Sequence, residues 1–230
     1  MKKLVTALLL MLATAVWAGD FEDGVAASEK GDYKTAFSFF KRAAAQGTSE
    51  AQFNVGVSYD IGRGVLQDYA EAVRWYKLAA AQGNSYAQFN LGGLYQRGEG
   101  VLQNYAEAVR WYKLAAAREN SSAQGNLGWM YERGEGVLQD YTEAVRWYKL
   151  AAAQGNSFAQ VRLGLMYSMG QGVLQNYLQA HMWANLAAVS LGEKAQKTRD
   201  VIAELMTPQQ IEKAQAMAKK CLASKYKDCD

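Results

Sequence analysis

The chain is predicted to be all-α, a solenoid of stacked helical hairpins closed by capping helices, and three observations lead there. The segment GVLQ-[DN]-Y-x-E-A-V-R-W-Y-K-L-A-A-A begins at Gly64, Gly100 and Gly136 with a strict 36-residue spacing, and an eroded copy begins at Gly172. A period of this size is the mark of stacked supersecondary units. Within one unit, Ala87, Leu91 and Tyr95 recur at i, i+4 and i+8, which makes one apolar stripe on a helix. Gly98 and Gly100 follow, as glycines do where a helix ends and the chain turns.

Residues 1–18 read as a secretory signal cut after Ala18: Lys2 and Lys3, an apolar run from Leu4 to Val16, and small residues around Trp17. The run is too short to span a bilayer, so no stable membrane insertion is expected after cleavage. The residue that would follow the cut is Gly19, which leaves no cysteine there to carry a lipid. The protein is therefore expected in the periplasm or outside the cell. The formal charge of +3 loses two lysines with the signal and becomes +1. So neutral a surface lacks the field that phosphate backbones demand, and nucleic acid is not an expected partner.

Residues 19–50 look like a degenerate N-terminal capping unit, in which Tyr33, Phe37, Phe40, Ala43 and Ala44 echo a second helix. Four units follow at 51–86, 87–122, 123–158 and, more divergent, 159–194. In each, the glycine after the apolar stripe (Gly56, Gly92, Gly128, Gly164) costs helix propensity, so it marks close approach of a second helix. The second helix opens on an acid or amide with Glu or Gln three residues on: Asp68/Glu71, Asn104/Glu107, Asp140/Glu143 and Asn176/Gln179. That spacing predicts a capping box, with the glutamate reaching back to the cap amide. Ala108, Trp111 and Ala115 should pack on the first helix, with Trp111 supplying buried area. Tyr112, Leu114 and Ala116 should fill the gap to the next unit. The GVLQ turn reads as construction.

Residues 195–230 are expected to form capping helices and a tethered tail. Thr207, Pro208 and Gln210 have the cap, first-turn and N3 chemistry of a helix start. Cys221 and Cys229 lie within the last ten residues, and in an oxidising compartment they read as a disulfide worth about 2.5 kcal/mol by loop entropy.

Taken together, Ala87, Leu91, Gly92, Tyr95, Gly98, Gly100, Val101, Asn104, Ala108, Trp111, Ala115 and Ala116 resemble the Sel1-like repeat family, a branch of the tetratricopeptide-like helical repeats. The closing glycine of the pattern is Glu119 here, but Gly83 and Gly155 in the flanking copies. The resemblance implies a right-handed α/α superhelix that mediates protein–protein contacts, often in exported bacterial proteins. A cysteine-rich secreted branch is associated with penicillin binding and β-lactamase activity. The repeats of this chain contain no cysteines, so it departs from that branch.

Residues that could carry chemistry have structural readings. His181 takes the slot of Val73, Val109 and Val145, a packing position. Ser38–Lys41 and Ser224–Lys227 satisfy the S-x-x-K spacing but lack the companion elements of penicillin-recognising enzymes. Glu71, Glu107 and Glu143 occur one per unit and do not converge as a catalytic pair would. Trp75, Trp111, Trp147 and Trp183 hold a fixed helical slot and read as core rather than as a sugar platform. No catalytic residue, cofactor or metal ligand is assigned. The alternatives are the β-lactam enzyme and a peptidoglycan or carbohydrate binder.

Functional information is expected where the copies disagree. The variable stripe on the first helices comprises Phe53, Val57, Asp60 and Ile61; Phe89, Gly93, Gln96 and Arg97; Gly125, Trp129, Glu132 and Arg133; and Val161, Leu165, Ser168 and Met169. By analogy with related helical repeats it should line a concave groove. Of these, Phe53, Val57, Ile61, Phe89, Arg97, Trp129, Glu132, Arg133, Leu165 and Met169 are the candidate contacts for a protein or peptide partner. Apolar anchors beside arginine forks suit such a segment. The chain is expected to act as a monomer without catalysis.

Overall fold

Helix boundaries fall where side-chain caps and glycines set them. The computed structural model describes residues 19–229, so the signal assigned to residues 1–18 lies outside the described residues. A helical segment at 19–29 (α1) precedes α2 (Tyr33–Ala45), α3 (Ser49–Ile61), α4 (Tyr69–Ala81), α5 (Ser85–Arg97) and α6 (Tyr105–Ala116). Then come α7 (Ser121–Arg133), α8 (Tyr141–Ala152), α9 (Ser157–Met169), α10 (Tyr177–Leu191), α11 (Glu193–Ala203) and α12 (Pro208–Ala223). No strand occurs among the described residues. Consecutive helices pair as hairpins and pack as a solenoid. The chain divides into two compact units, one ending at Trp111 and the other beginning at Tyr112.

The helix starts follow the sequence with one correction. Asp68 and Asp140 accept the amides of Glu71 and Glu143 at 3.0 Å, and Asn176 accepts that of Gln179 at 3.1 Å. The glutamates do not reciprocate. The amide of each cap residue is already taken by a carbonyl across the turn, Asp68 by Tyr59 and Asp140 by Tyr131, both at 2.9 Å. With that donor satisfied, Glu71 turns to the indole of Trp75 at 3.2 Å and to Arg74. The complete box is found in α12, with Thr207 and Gln210 bonded both ways.

In the first unit, one core lies between α2 and α3 (Ala36, Phe40, Ala43, Ala51, Val55) and a second between α4 and α5 (Val73, Tyr76, Ala80, Leu91, Leu94). Tyrosine, not tryptophan, is the fully buried aromatic. The Tyr76 ring lies on Gly56, where an added Cβ would sit 2.6 Å from it, and its hydroxyl donates to Asp60 and accepts from Asn90, both at 2.9 Å. Trp75 is half-buried against the preceding core, and Leu114, expected between units, is exposed like its counterpart Leu78. A Cβ on Gly64 or Gly100 would overlap the backbone carbonyl of Tyr33 or Tyr69 in the preceding hairpin, so these turns press backbone on backbone.

A tie absent from the sequence reading recurs in both units. Gln88 donates to the Ala80 carbonyl at 3.1 Å and Gln124 to the Ala116 carbonyl at 3.3 Å. Each buried amide is thus a second donor to a carbonyl in the last turn of the previous second helix, beside the turn amide of Gly83 or Glu119. In the second unit the core gathers Tyr148, Leu163, Met166, Met182 and Trp183, with Ile202, Ala218 and Cys221 added by α11 and α12. Cys221 and Cys229 form the disulfide, Cα to Cα 4.5 Å.

Candidate interaction surface

The variable stripe is supported from beneath by the buried tyrosines. In the first unit Phe53 and Val57 are half-buried against the α4/α5 core, and the Phe53 ring lies 5.9 Å from Tyr76 and 6.0 Å from Tyr86. Tyr86, 65% exposed, was not among the sequence candidates. Phe89 is half-buried and Ile61 exposed. Arg97 is exposed and pairs with Glu99 at 2.7 Å. A pair so open to solvent contributes little stability and leaves the guanidinium available for exchange.

In the second unit Trp129 is half-buried against the core, with the Arg133 guanidinium 5.8 Å from its ring centroid. Leu165 is half-buried and Met169 exposed. Phe158, exposed and 6.1 Å from the Tyr148 ring, is a second aromatic that sequence reasoning missed. Tyr86 and Phe158 occupy one repeat position, two residues into α5 and α9, outside the i, i+4 frame used to draw the stripe.

Glu132 departs from its expected role. Its carboxylate is buried, accepts the Tyr148 hydroxyl at 2.7 Å and the Arg162 Nε at 3.0 Å, and forms an ion pair with Arg162. Asp60 holds the equivalent place beneath Tyr76, where burial raises its carboxyl pKa against the lowering effect of that hydrogen bond. Burial also raises the hydroxyl pKa of Tyr76 and Tyr148 and lowers the guanidinium pKa of Arg162. The stripe therefore has two layers: acids that anchor tyrosines, and apolar side chains with arginines above them.

The other singled-out residues are spoken for. Ser38 Oγ donates to the Thr35 carbonyl and Ser224 Oγ to the Cys221 carbonyl, both at 2.8 Å. Lys41 and Lys227 are exposed, with Lys41 Nζ 5.7 Å from the Phe37 ring centroid. His181 is 1% exposed, a core position like Val73 and Val145. The turn leucines depart from the reading of GVLQ as construction: Leu66, Leu102, Leu138 and Leu174 are 89, 91, 91 and 90% exposed. The glutamine of that turn does build, since Gln67 donates to the Asp60 carbonyl at 2.7 Å and to the Tyr69 hydroxyl at 2.9 Å. No helix among the described residues is long and apolar enough to cross a membrane.

Stacked hairpins that hold a constant frame and vary one helical stripe define a helical-repeat scaffold. The chain belongs to the Sel1 repeat family, whose pattern matches residues 17–48, 49–84, 85–120, 121–156 and 157–188. It is similar to c5321, a protective antigen of uropathogenic Escherichia coli with an SLR fold, at 36% identity and a TM-score of 0.80. That match covers 96% of this chain but 48% of the other, so this chain spans about half the length of that relative. A Sel1 repeat protein from Oxalobacter formigenes is 31% identical with a TM-score of 0.77, covering 87% of this chain and 82% of that one. A putative Sel1 repeat protein from Klebsiella pneumoniae shares the fold at 21% identity and a TM-score of 0.53, with 81% of this chain and 93% of that one covered. No curated protein matches in sequence comparison. Sel1 repeats generally serve as scaffolds for protein–protein interaction.

Proposed function

We propose that this chain is an exported, non-enzymatic scaffold that captures an extended segment of a partner protein on its first-helix stripe. The observation that carries this reading is the half-buried Trp129 flanked by Arg133, with Leu165 and Met169 along the same stripe in the second unit. Phe53, Val57, Ile61, Phe89 and Arg97 offer similar chemistry in the first. Apolar side chains already held in place lose little entropy on binding, and arginines beside them select carboxylates. Export is supported by the pattern of residues 1–18 and by the cysteine pair near the C-terminus.

The test compares the intact mature chain with a Trp129→Ala, Arg97→Ala, Arg133→Ala variant in capture from envelope extracts, with helical content and melting checked by circular dichroism. A partner held by the first and lost from the folded second is expected. Equal capture by both sinks the reading of the stripe. Recovery of the exported protein with residues 1–18 still attached would remove the assignment of a cleaved signal.

A further inference from the structure

A cleft of about 600 Å³ lies within the second unit, on its second helices rather than on the first-helix stripe. Its apolar lining comes from Val145 and Leu150 of α8, Val173 of the following turn, Trp183 of α10 and Tyr226 of the tail. Arg146, Lys149 and Lys227 also line it, and no carboxylate of the described residues does. Arg146 pairs with Glu143 at 3.1 Å, whereas neither Lys149 nor Lys227 has a carboxylate partner among the described residues. The volume suits a small organic molecule. The three cations set the sign of its charge, because an anion among them gains Coulomb energy that a neutral molecule does not.

The cleft is framed by the last full repeat, the divergent repeat after it and the tail. Arg146 and Lys149 have equivalents in Arg74/Lys77 and Arg110/Lys113, but Tyr226 and Lys227 come from the tail. That tail is held in an uncommon shape: Lys225 and Tyr226 both have left-handed backbones, φ 54° and 65°. Residues that bear a side chain rarely adopt that region, and two in succession need outside contacts to hold them there. The Cys221–Cys229 disulfide, the Tyr226 amide on the Cys221 carbonyl at 2.9 Å, and the Tyr226 ring over Gly155 keep them so. The outcome is a wall with an aromatic ring and an ammonium beside the α8 cations.

We propose that this cleft binds a small organic anion: a flat apolar body placed between Trp183 and Tyr226, bearing a carboxylate, sulfonate or phosphate that Lys149 and Lys227 hold with Arg146. The site is independent of the first-helix stripe. The cationic rim orients the ligand and the apolar lining removes its body from water.

The experiment is isothermal titration of the mature, disulfide-bonded chain with naphthalene-2-sulfonate and with the neutral 2-naphthalenemethanol, at low and at physiological salt. The sulfonate is expected to bind saturably, at least about tenfold tighter than the alcohol, and to weaken as salt screens the cations. Lys227→Glu, an exposed position, should weaken it by tenfold or more, and Lys149→Ala by several-fold. Reducing the disulfide should weaken it as the wall loosens, while Trp129→Ala should change nothing. Absence of saturable sulfonate binding, equal affinity for the alcohol, or an unaffected Lys227→Glu variant would each overturn the proposal. A ligand lost through Trp129→Ala but retained by Lys227→Glu would place binding on the stripe instead, and would equally overturn it.

Discussion

Replacing Gly128 of α7 by alanine sets two effects of opposite sign against each other. Helix propensity alone favours the alanine by about 1 kcal/mol. The new Cβ, however, would lie 2.6 Å from Cδ1 and Cε1 of Tyr148 and 2.9 Å from Cγ. Carbon atoms rest at about 3.5–4.0 Å, so the ring must retreat by about 1 Å. It has no room to do so, being fully buried and tied by its hydroxyl to Glu132 of α7 at 2.7 Å. Overpacking of this kind costs about 1–3 kcal/mol, and stretching a hydrogen bond to a carboxylate adds to it. The steric term wins, with a net destabilisation of about 2 kcal/mol expected in urea unfolding followed by far-ultraviolet circular dichroism. In a Tyr148→Ala background the ring is gone, and the same Gly128→Ala change should stabilise by up to about 1 kcal/mol. Reversal of sign between the two backgrounds is the signature. A stabilising Gly128→Ala in the native background, or the same effect in both, would refute the reasoning. The divergent repeat already displays the alternative: Ala184 fills the tyrosine slot, and a Cβ added to Gly164 would instead lie 3.1 Å from the Ala180 carbonyl oxygen.

Three further outcomes can be measured with the same purified chain. Glu132→Ala should cost about 2–3 kcal/mol in urea unfolding, because it strands the half-buried Arg162 and the Tyr148 hydroxyl; Arg97→Ala, which breaks an exposed pair, should cost no more than about 0.5 kcal/mol. Burial, and then the neighbouring Arg199, hold the His181 pKa below its ordinary value, with Asp200 opposing them. Below about pH 6.5 the unfolded chain therefore takes up more protons than the folded one, so this residue makes stability fall as pH drops from there to the lower native pKa and then level off. His181→Val should remove that part of the decline in melting temperature, and an identical pH profile in both proteins would contradict it. Leu66→Ser and Leu102→Ser should each change stability by less than about 0.5 kcal/mol, since both side chains stand in solvent; a larger loss would show that they pack.

Much of the architecture was legible because repetition multiplies weak signals. The i, i+4 stripe, the cap residues and the Thr207–Pro208–Gln210 start each report on backbone atoms within one turn of themselves, and those local reports agree with the structure. The misreadings all depend on a neighbour from another helix. Glu71 has the spacing of a capping box, but the Tyr59 carbonyl had already claimed the Asp68 amide. Trp75 and Tyr76 are adjacent and both aromatic, so periodicity alone could not say which one Gly56 would accommodate. Glu132 looked like variable surface because its partners lie 16 and 30 residues away. Tyr86 and Phe158 went unnoticed because they flank the stripe from the following helix rather than sharing its period.

What the amino-acid sequence determined unaided is the repeating hairpin: its period, its helix ends and the glycines at which it turns, all set by short-range backbone geometry. The tertiary structure alone decided which members of that pattern face solvent and which are enclosed. It buried Tyr148 with Glu132, set the half-buried Arg162 against them, left Leu102 in water, and folded Tyr226 and Lys227 back over α8. Burial depends on which second helix or tail arrives alongside, and that contact is made between residues too distant in the chain for any local pattern to encode.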